Sequence, residues 1–249
     1  MSSTLAYIRF ELLRSVRNKR YLILTVFMPV IIYLTFSAGS KTSDTESGLQ
    51  VKVYLLVSMA AFGAIGAALN GGGVRLAAER ASGWVRQLRI TPLPSSSYLT
   101  TKVVAGLALA IPATLVVAVA GVVVNDVSLP ASEWARVLVS LWVGVLPFVG
   151  IGLCIGYLFD EESAQAATVM VLMVMSLLGG LWLPLPELPG LVQSIGKALP
   201  SYALADLGRA AVAGVAPSIG DLAVVAGWTL VAGFGLVHLY RRAEAEIAA

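Results

Sequence analysis

The feature that most constrains this chain is a series of long apolar runs that carry almost no charge. They cover residues 21–37, 51–69, 103–124, 134–158, 163–183 and 221–240. Each is close to the roughly 20 mainly apolar residues that an α-helix needs to cross a bilayer. Charged residues make up only 12% of the chain, against about one quarter in a soluble domain. We therefore expect a single all-α domain, a polytopic membrane protein with six transmembrane helices.

The distribution of Lys and Arg predicts which side of the membrane each loop faces. Of the 17 such residues, five lie on the side of the first, third and fifth loops, in those loops or at the adjoining ends of spans: Lys41, Lys52, Arg136, Lys197 and Arg209. The other 12 lie on the side of the termini and of the second and fourth loops. Because cytoplasmic loops carry an excess of Lys and Arg, we expect both termini and the 79–94 loop in the cytoplasm, and the protein in the plasma (inner) membrane.

The chain begins with a segment, residues 2–20, that has the pattern of an amphipathic helix. One face carries Leu5, Ile8, Leu12 and Val16, and the opposite face carries Tyr7, Glu11 and Arg14. Basic residues cluster at its end, which suits an anionic membrane surface. We interpret the segment as an interface helix. The alternative is that its charges only set the topology of the first span.

Residues 184–213 differ from the other apolar segments because prolines interrupt them. Pro184, Pro186, Pro189 and Pro200 leave two pieces, each too short to cross a bilayer. Such pieces re-enter the membrane partway or lie at its surface. We expect a re-entrant pair before the last span, and the alternative is an extracellular loop with two surface helices.

The longest polar interruption of the apolar sequence covers residues 79–102. Within it, the pattern of residues 79–94 predicts a short amphipathic helix that is stopped by Pro92 and Pro94. Trp84, Val85, Leu88 and Ile90 supply an apolar patch, and Arg86 and Arg89 supply a charged rim. Protein interfaces often combine these two features. We interpret the loop as a docking site for a soluble partner, and the alternative is a connector that only sets topology.

The spans contain almost no ionisable residues. A charge at a helix centre costs about 2.5 to 3.5 kcal/mol on insertion scales, so transporters keep one only where it has a function. This argues against proton relays, ion-coupled symport and voltage sensing. The acids at 160–162 are best explained as a helix cap, and the glycines at 71–73 as flexibility or tight packing. We expect no catalytic residue, no metal and no bound cofactor, and the net charge of +3 is too small to indicate nucleic acid.

Two patterns carry a resemblance to a known family. The first is Glu79-Arg80-x-Ser82-Gly83-x-x-x-x-Leu88-Arg89-x-Thr91-Pro92-Leu93, followed by Tyr98, Leu99 and Lys102. The second is Gly179-Gly180-x-Trp182-x-Pro184, with Leu188-Pro189 and Leu199-Pro200 after it. Together they resemble the membrane subunits of type-2 ATP-binding cassette (ABC-2) exporters, and the small daunorubicin-type drug-resistance permeases in particular. The resemblance covers nearly the whole chain.

The resemblance implies how the loop works. In that family the loop forms a coupling helix that sits in a cleft of a separate ATPase subunit. It assigns that role here to Glu79, Arg80, Ser82, Gly83, Trp84, Arg86, Leu88, Arg89 and Pro92. ATP and Mg would then be bound by the partner ATPase, of which two copies are expected, and not by this chain. A second copy of this permease, or a homologous one, would complete the membrane part.

The resemblance also implies a function. We expect export of an amphipathic drug or lipid-like substrate, powered by the partner ATPase, as in multidrug efflux. One alternative is a secondary transporter or channel driven by an ion gradient, which needs no ATPase. Another is an ABC-2 exporter of polysaccharide or glycolipid. Membrane lipids are the remaining expected partners.

Overall fold

The protein is described by a computed structural model over residues 3–17, 27–39, 49–89 and 95–248. Over these residues the chain forms helices joined by short connections. They are α1 (Ser3–Arg17), α2 (Met28–Gly39), α3 (Val51–Ala81), α4 (Trp84–Arg89), α5 (Ser95–Asn125), α6 (Ala131–Gly144), α7 (Leu146–Leu158), α8 (Glu161–Leu178), α9 (Gly190–Lys197), α10 (Pro200–Ala213) and α11 (Ile219–Ala248). A 3₁₀ turn covers Leu185–Glu187. The prediction of an all-α fold is confirmed over these residues.

Helix α3 lies at the centre of the bundle. It packs against α2, α5, α7 and α8. In its most apolar 18-residue segment 89% is buried, compared with 17% in the corresponding segment of Ile219–Ala245. A helix that is hydrophobic on every side must be covered on every side, by protein or by lipid. Helix α3 is therefore covered by protein, whereas α11 exposes apolar side chains on its outer face.

The described residues contain five helices that are long and apolar enough to cross a membrane. They are Val51–Ala81, Ser97–Asn125, Ala131–Leu158, Glu161–Leu178 and Ile219–Ala245. The first predicted span, residues 21–37, is described only from residue 27, where the 12-residue helix α2 covers its second half. The rest of that span lies outside the described residues, so the count of six spans stays a prediction.

The glycine triplet at 71–73 is a site of tight packing between α3 and α7. A Cβ on Gly152 would lie 2.8 Å from the carbonyl oxygen of Leu69, and one on Gly156 would lie 2.7 Å from that of Gly73. Real Cβ atoms do not approach so closely, so only glycine permits this backbone contact. Helix α3 also continues unbroken through the triplet to Ala81. The 79–94 loop is therefore attached to the end of one continuous helix.

Helix α10 is packed inside the bundle. A Cβ on Gly144 would lie 2.5 Å from Leu204 Cδ1, and one on Gly208 would lie 2.7 Å from Val57. Gly144 is near the middle of the apolar stretch Ala131–Leu158. Helix α10 thus reaches well into the bundle beside α3 and α6, and its assignment as a re-entrant segment stays a prediction.

A buried arginine links α10 to the start of α3. The side chain of Arg209 is 8% exposed, and its Nη2 lies 3.2 Å from Asp206 Oδ1. Its guanidinium carbon lies 4.9 Å from the centre of the Tyr54 ring and 5.5 Å from that of Tyr202. The Tyr54 hydroxyl donates to the carbonyl oxygen of Gly180 at 2.9 Å. These contacts hold α3, α10 and the end of α8 together at the end of the bundle opposite the 79–94 loop.

Candidate functional site

The segment predicted as the 79–94 loop begins in the last turn of α3, which extends to Ala81, and then makes a tight turn. The backbone N–H of Ser82 donates to Ala78, and that of Gly83 donates to Arg80. Gly83 has a φ of +74°, a conformation that L side chains rarely adopt. The short helix α4 starts immediately afterwards at Trp84. Gly83 therefore sets the direction in which α4 leaves α3.

The carboxylate of Glu79 is buried just before this turn. Its side chain is 1% exposed, and Lys102 Nζ of α5 lies 2.6 Å from its Oε2. The same ammonium group lies 2.7 Å from Glu11 Oε1 of α1. Buried charges are stable only when they are paired and hydrogen-bonded. One lysine thus joins two carboxylates that come from two other helices.

Further groups complete this arrangement. Arg14 Nη1 lies 3.0 Å from Glu79 Oε1, and the Tyr98 hydroxyl donates to Glu79 Oε2 at 3.0 Å. Arg75 Nε lies 3.5 Å from Glu11 and 3.9 Å from Glu79. We call the set Glu11, Arg14, Arg75, Glu79, Tyr98 and Lys102 the charge cluster. It ties α1, α3 and α5 together at the base of the loop.

The polar face of α1 points into the protein. Tyr7 is buried with its ring stacked on that of Tyr98, the centroids 6.3 Å apart. Burial, together with the nearby carboxylates of Glu79 and Glu11, raises the pKa of the Tyr7 phenol above its ordinary value. Leu5, on the apolar face, is 52% exposed. The polar face of the helix therefore meets the charge cluster, and its role as a membrane-interface helix stays a prediction.

Arg80 extends from α3 toward a different neighbour. Its Nη1 donates to the carbonyl oxygens of Gly156 and Tyr157 at 2.8 and 2.7 Å. These carbonyls belong to the last turn of α7, where no intrahelical donor remains. The guanidinium carbon also lies 5.6 Å from the centre of the Tyr157 ring. Arg80 therefore caps the end of α7, which favours a cation.

The other predicted coupling residues are placed as follows. The Ser82 hydroxyl donates to the Glu79 carbonyl at 3.1 Å. The half-buried Trp84 stacks on Phe10 of α1 with ring centroids 6.3 Å apart. Arg86, Leu88 and Arg89 lie in α4, but their side chains are outside the described part of the chain. Pro92 is outside it altogether. The contacts of Glu79, Arg80, Ser82 and Trp84 are thus with the chain itself, and the coupling role of all nine residues stays a prediction.

Two open clefts flank the base of the loop. One, of about 820 Å³, is lined by Arg80, Gly83, Val85, Tyr157 and Tyr240 among others. The other, of about 720 Å³, lies between α1, α3 and α8. Its lining is mixed, with Phe10, Leu13 and Val74 beside Arg14, Asn70, Arg75, Glu161 and Gln165. Both fall in the size range of sites that bind drug-sized molecules, about 300 to 1,000 Å³.

The acidic run at 160–162 caps α8, as the sequence predicts. Asp160 Oδ1 accepts a hydrogen bond from the backbone N–H of Ser163 at 2.8 Å. This bond holds the pKa of Asp160 below its ordinary value. Among the described residues, no group of three or more His, Cys, Asp or Glu side chains could hold a metal ion.

Sequence reasoning missed the partners of Glu79. Lys102 bonds both Glu79 and Glu11, and Glu11 lies 91 positions away in the sequence, on the polar face of α1. The family pattern contains Lys102 and Tyr98 but does not identify them as partners of Glu79. The available signal was that opposite charges flank a short loop between two apolar helices, because such charges must pair if they are buried.

Comparisons with known proteins agree with this architecture. Residues 2–212 match the family model described as ABC-2 type transporter. A protein of Bacillus subtilis (strain 168), named Putative transport permease YvfS, is 29% identical over 238 residues. The aligned part covers 95% of this chain and 95% of that relative. The family match includes α1, the loop and the charge cluster.

Proposed function

Because the chain belongs to the ABC-2 type transporter family and is therefore the membrane permease of an ABC transporter, we propose that it is the membrane half of an ATP-driven exporter. The ATP is hydrolysed by a separate ATPase subunit. That subunit binds ATP and Mg, and this chain binds neither. In this proposal the two termini and the 79–94 loop face the cytoplasm, and the protein lies in the plasma membrane.

The observation that carries the proposal is the way the loop is attached. A partner that pushes on α4 pushes on the end of α3, a continuous 31-residue helix at the centre of the bundle. The charge cluster fixes the same point to α1 and α5 through contacts of 2.6 to 3.0 Å. Interfaces and packed cores switch between discrete arrangements and do not deform continuously. A loop held in this way can pass a displacement to several membrane helices together.

We further propose that the working complex contains two copies of the ATPase and two permeases, the second permease being another copy of this chain or a homologue. The cargo is an amphipathic drug or a lipid-like molecule, as in multidrug efflux and antibiotic resistance. The mixed apolar and polar lining of the 720 Å³ cleft supports this class of cargo. A panel of drugs, lipids and glycans tested for stimulation of the complex's ATPase activity distinguishes it from a glycan.

The test of the docking surface uses charge reversal on α4. The chain is co-expressed with its ATP-binding cassette ATPase and purified from membranes, as the wild type and as the Arg86→Glu, Arg89→Glu double variant. We expect association with the ATPase to weaken at least about tenfold, because charged groups at interfaces set recognition, while the amount of permease in the membrane is unchanged. The control is Arg241→Glu, an exposed arginine on α11.

Two results would contradict the proposal. One is unchanged association of the double variant with the ATPase. The other is transport by the purified chain alone in liposomes, driven by an ion gradient, which would show a secondary transporter or channel instead.

A further inference from the structure

Two consecutive residues of α3 reach different parts of the bundle. Successive residues of an α-helix point about 100° apart, since one turn takes 3.6 residues. Glu79 is directed into the charge cluster, toward α1 and α5. Arg80 is directed toward the end of α7. The end of α3 is therefore connected to two separate groups of helices.

The contact with α7 has well-defined geometry. A single guanidinium nitrogen donates to two neighbouring carbonyl oxygens, at 2.8 and 2.7 Å. Both carbonyls belong to the last turn of α7, so the bonds replace donors that the helix itself does not supply. The planar guanidinium also lies over the Tyr157 ring. Arg80 is exposed and lines the 820 Å³ cleft, but its Nη1 donates within the chain.

The chain of contacts continues to the last helix. The Tyr157 ring meets the Tyr240 ring of α11 edge to face, with centroids 6.2 Å apart. The Tyr240 hydroxyl donates to Glu244 Oε1, one turn further along α11, at 2.6 Å. Helix α11 also packs along α7. Arg80 therefore contacts α7 directly and is linked to α11 through the Tyr157 and Tyr240 rings.

We propose that Arg80 is a positioning residue that transmits displacement of the 79–94 loop to α7 and α11, and that it does so without contacting the ATPase. The charge cluster transmits the same displacement to α1 and α5. This inference rests on the proposed function, because it assumes that an ATPase moves the loop. It assigns different roles to two neighbouring residues that the sequence places together in one docking motif.

The first measurement separates transmission from docking. The complex of permease and ATPase is reconstituted in liposomes with the wild-type chain, Arg80→Ala, Arg80→Lys or the control Arg241→Ala. For Arg80→Ala we expect unchanged association with the ATPase and continued ATP hydrolysis, while transport per ATP falls about tenfold, within the usual range of coupling factors between sites. Arg80→Lys should rescue transport in part, because lysine keeps the charge and loses the planar donor.

The second measurement reports the position of the helices. Spin labels are placed by cysteine substitution in a Cys154→Ala background, at Gln87 on α4 paired with Ala245 on α11. A reference pair joins Gln87 to Arg9 on α1. All three labelled positions are exposed. With Arg80→Ala we expect the Gln87–Ala245 distance distribution to broaden, while the Gln87–Arg9 distribution stays narrow because the charge cluster is intact.

Each other outcome overturns the inference. Loss of ATPase association with Arg80→Ala would make Arg80 a partner contact. Wild-type transport per ATP, or an unchanged Gln87–Ala245 distribution, would show that Arg80 transmits nothing to α11. A wild-type chain that binds no ATPase would instead refute the proposed function itself, and the wild-type sample reveals that result independently of any variant.

Discussion

Replacing Lys102 by methionine tests whether the charge cluster holds the three helices together. Methionine has nearly the same length and is apolar, so the substitution removes the charge that lies 2.7 Å from Glu11 and 2.6 Å from Glu79. Removing one partner of a buried ion pair costs about 3 to 5 kcal/mol. Arg14 and Arg75 remain beside the two carboxylates, so we expect a cost near the lower limit, about 3 kcal/mol.

The measurement is thermal unfolding of the purified chain in detergent. For a chain of this length, 1 kcal/mol corresponds to a shift in Tm of about 2 to 4 °C. The Lys102→Met variant should therefore unfold about 6 to 12 °C below the wild type. The matched control is Arg136→Met, because the Arg136 side chain is 49% exposed and lies 3.8 Å from Glu133. Exposed pairs contribute about 0.2 to 1 kcal/mol, so the control should unfold close to the wild type.

A double variant distinguishes lost charge pairing from lost packing. Adding Glu11→Gln to Lys102→Met removes one negative charge along with the positive one. Glu79 keeps both arginines. We expect the double variant to be more stable than the sum of the single effects by about 1 to 3 kcal/mol. Two results would refute the reasoning that a buried ion pair holds α1 to the bundle. One is that the stability losses of the two single variants simply add in the double variant. The other is that Lys102→Met unfolds at the same temperature as the Arg136→Met control.

Three smaller effects can be measured on the same preparation. Gly152→Ala should lower the free energy of unfolding by about 1 to 3 kcal/mol, because its Cβ would meet the α3 backbone at 2.8 Å. The control Gly233→Ala, with no atom within 4 Å of its Cβ, should be neutral or stabilising. Equal Tm values for the two variants would contradict this. Asp160→Ala should speed amide exchange in the first turn of α8. Because the pKa of Asp160 is lowered, the cap is complete above the ordinary carboxyl pKa of about 3.9 and is lost only as the pH falls through the lower pKa of the folded state. The protection factors of these amides against exchange in the wild type should therefore be constant between about pH 5 and 8. A change in that range would contradict the prediction. Tyr54→Phe removes the hydroxyl bond to Gly180 and should lower stability by about 0.5 to 1.5 kcal/mol; an unchanged Tm would show that this bond contributes nothing.

Local features of the chain could be predicted because their physical causes are local. The long apolar helices follow from average composition over about 20 residues. The cap at Asp160 follows from a hydrogen bond to a backbone N–H three residues away. The short helices between prolines at 184–213 follow from the missing N–H of proline. The depth to which α10 enters the bundle was not predictable, because it depends on contacts such as Leu204 with Gly144.

The sequence by itself determined that this protein crosses a membrane and carries a short helix on a polar loop. The tertiary structure decided what the charged residues of that loop do. Glu79 pairs with a lysine 23 positions away, that lysine pairs with Glu11 across 91 positions, and Arg80 binds α7 across 76. A buried charge requires an opposite partner, but this requirement does not specify which one. The packing of α1, α5 and α7 around α3 selects the partner by bringing it within bonding distance.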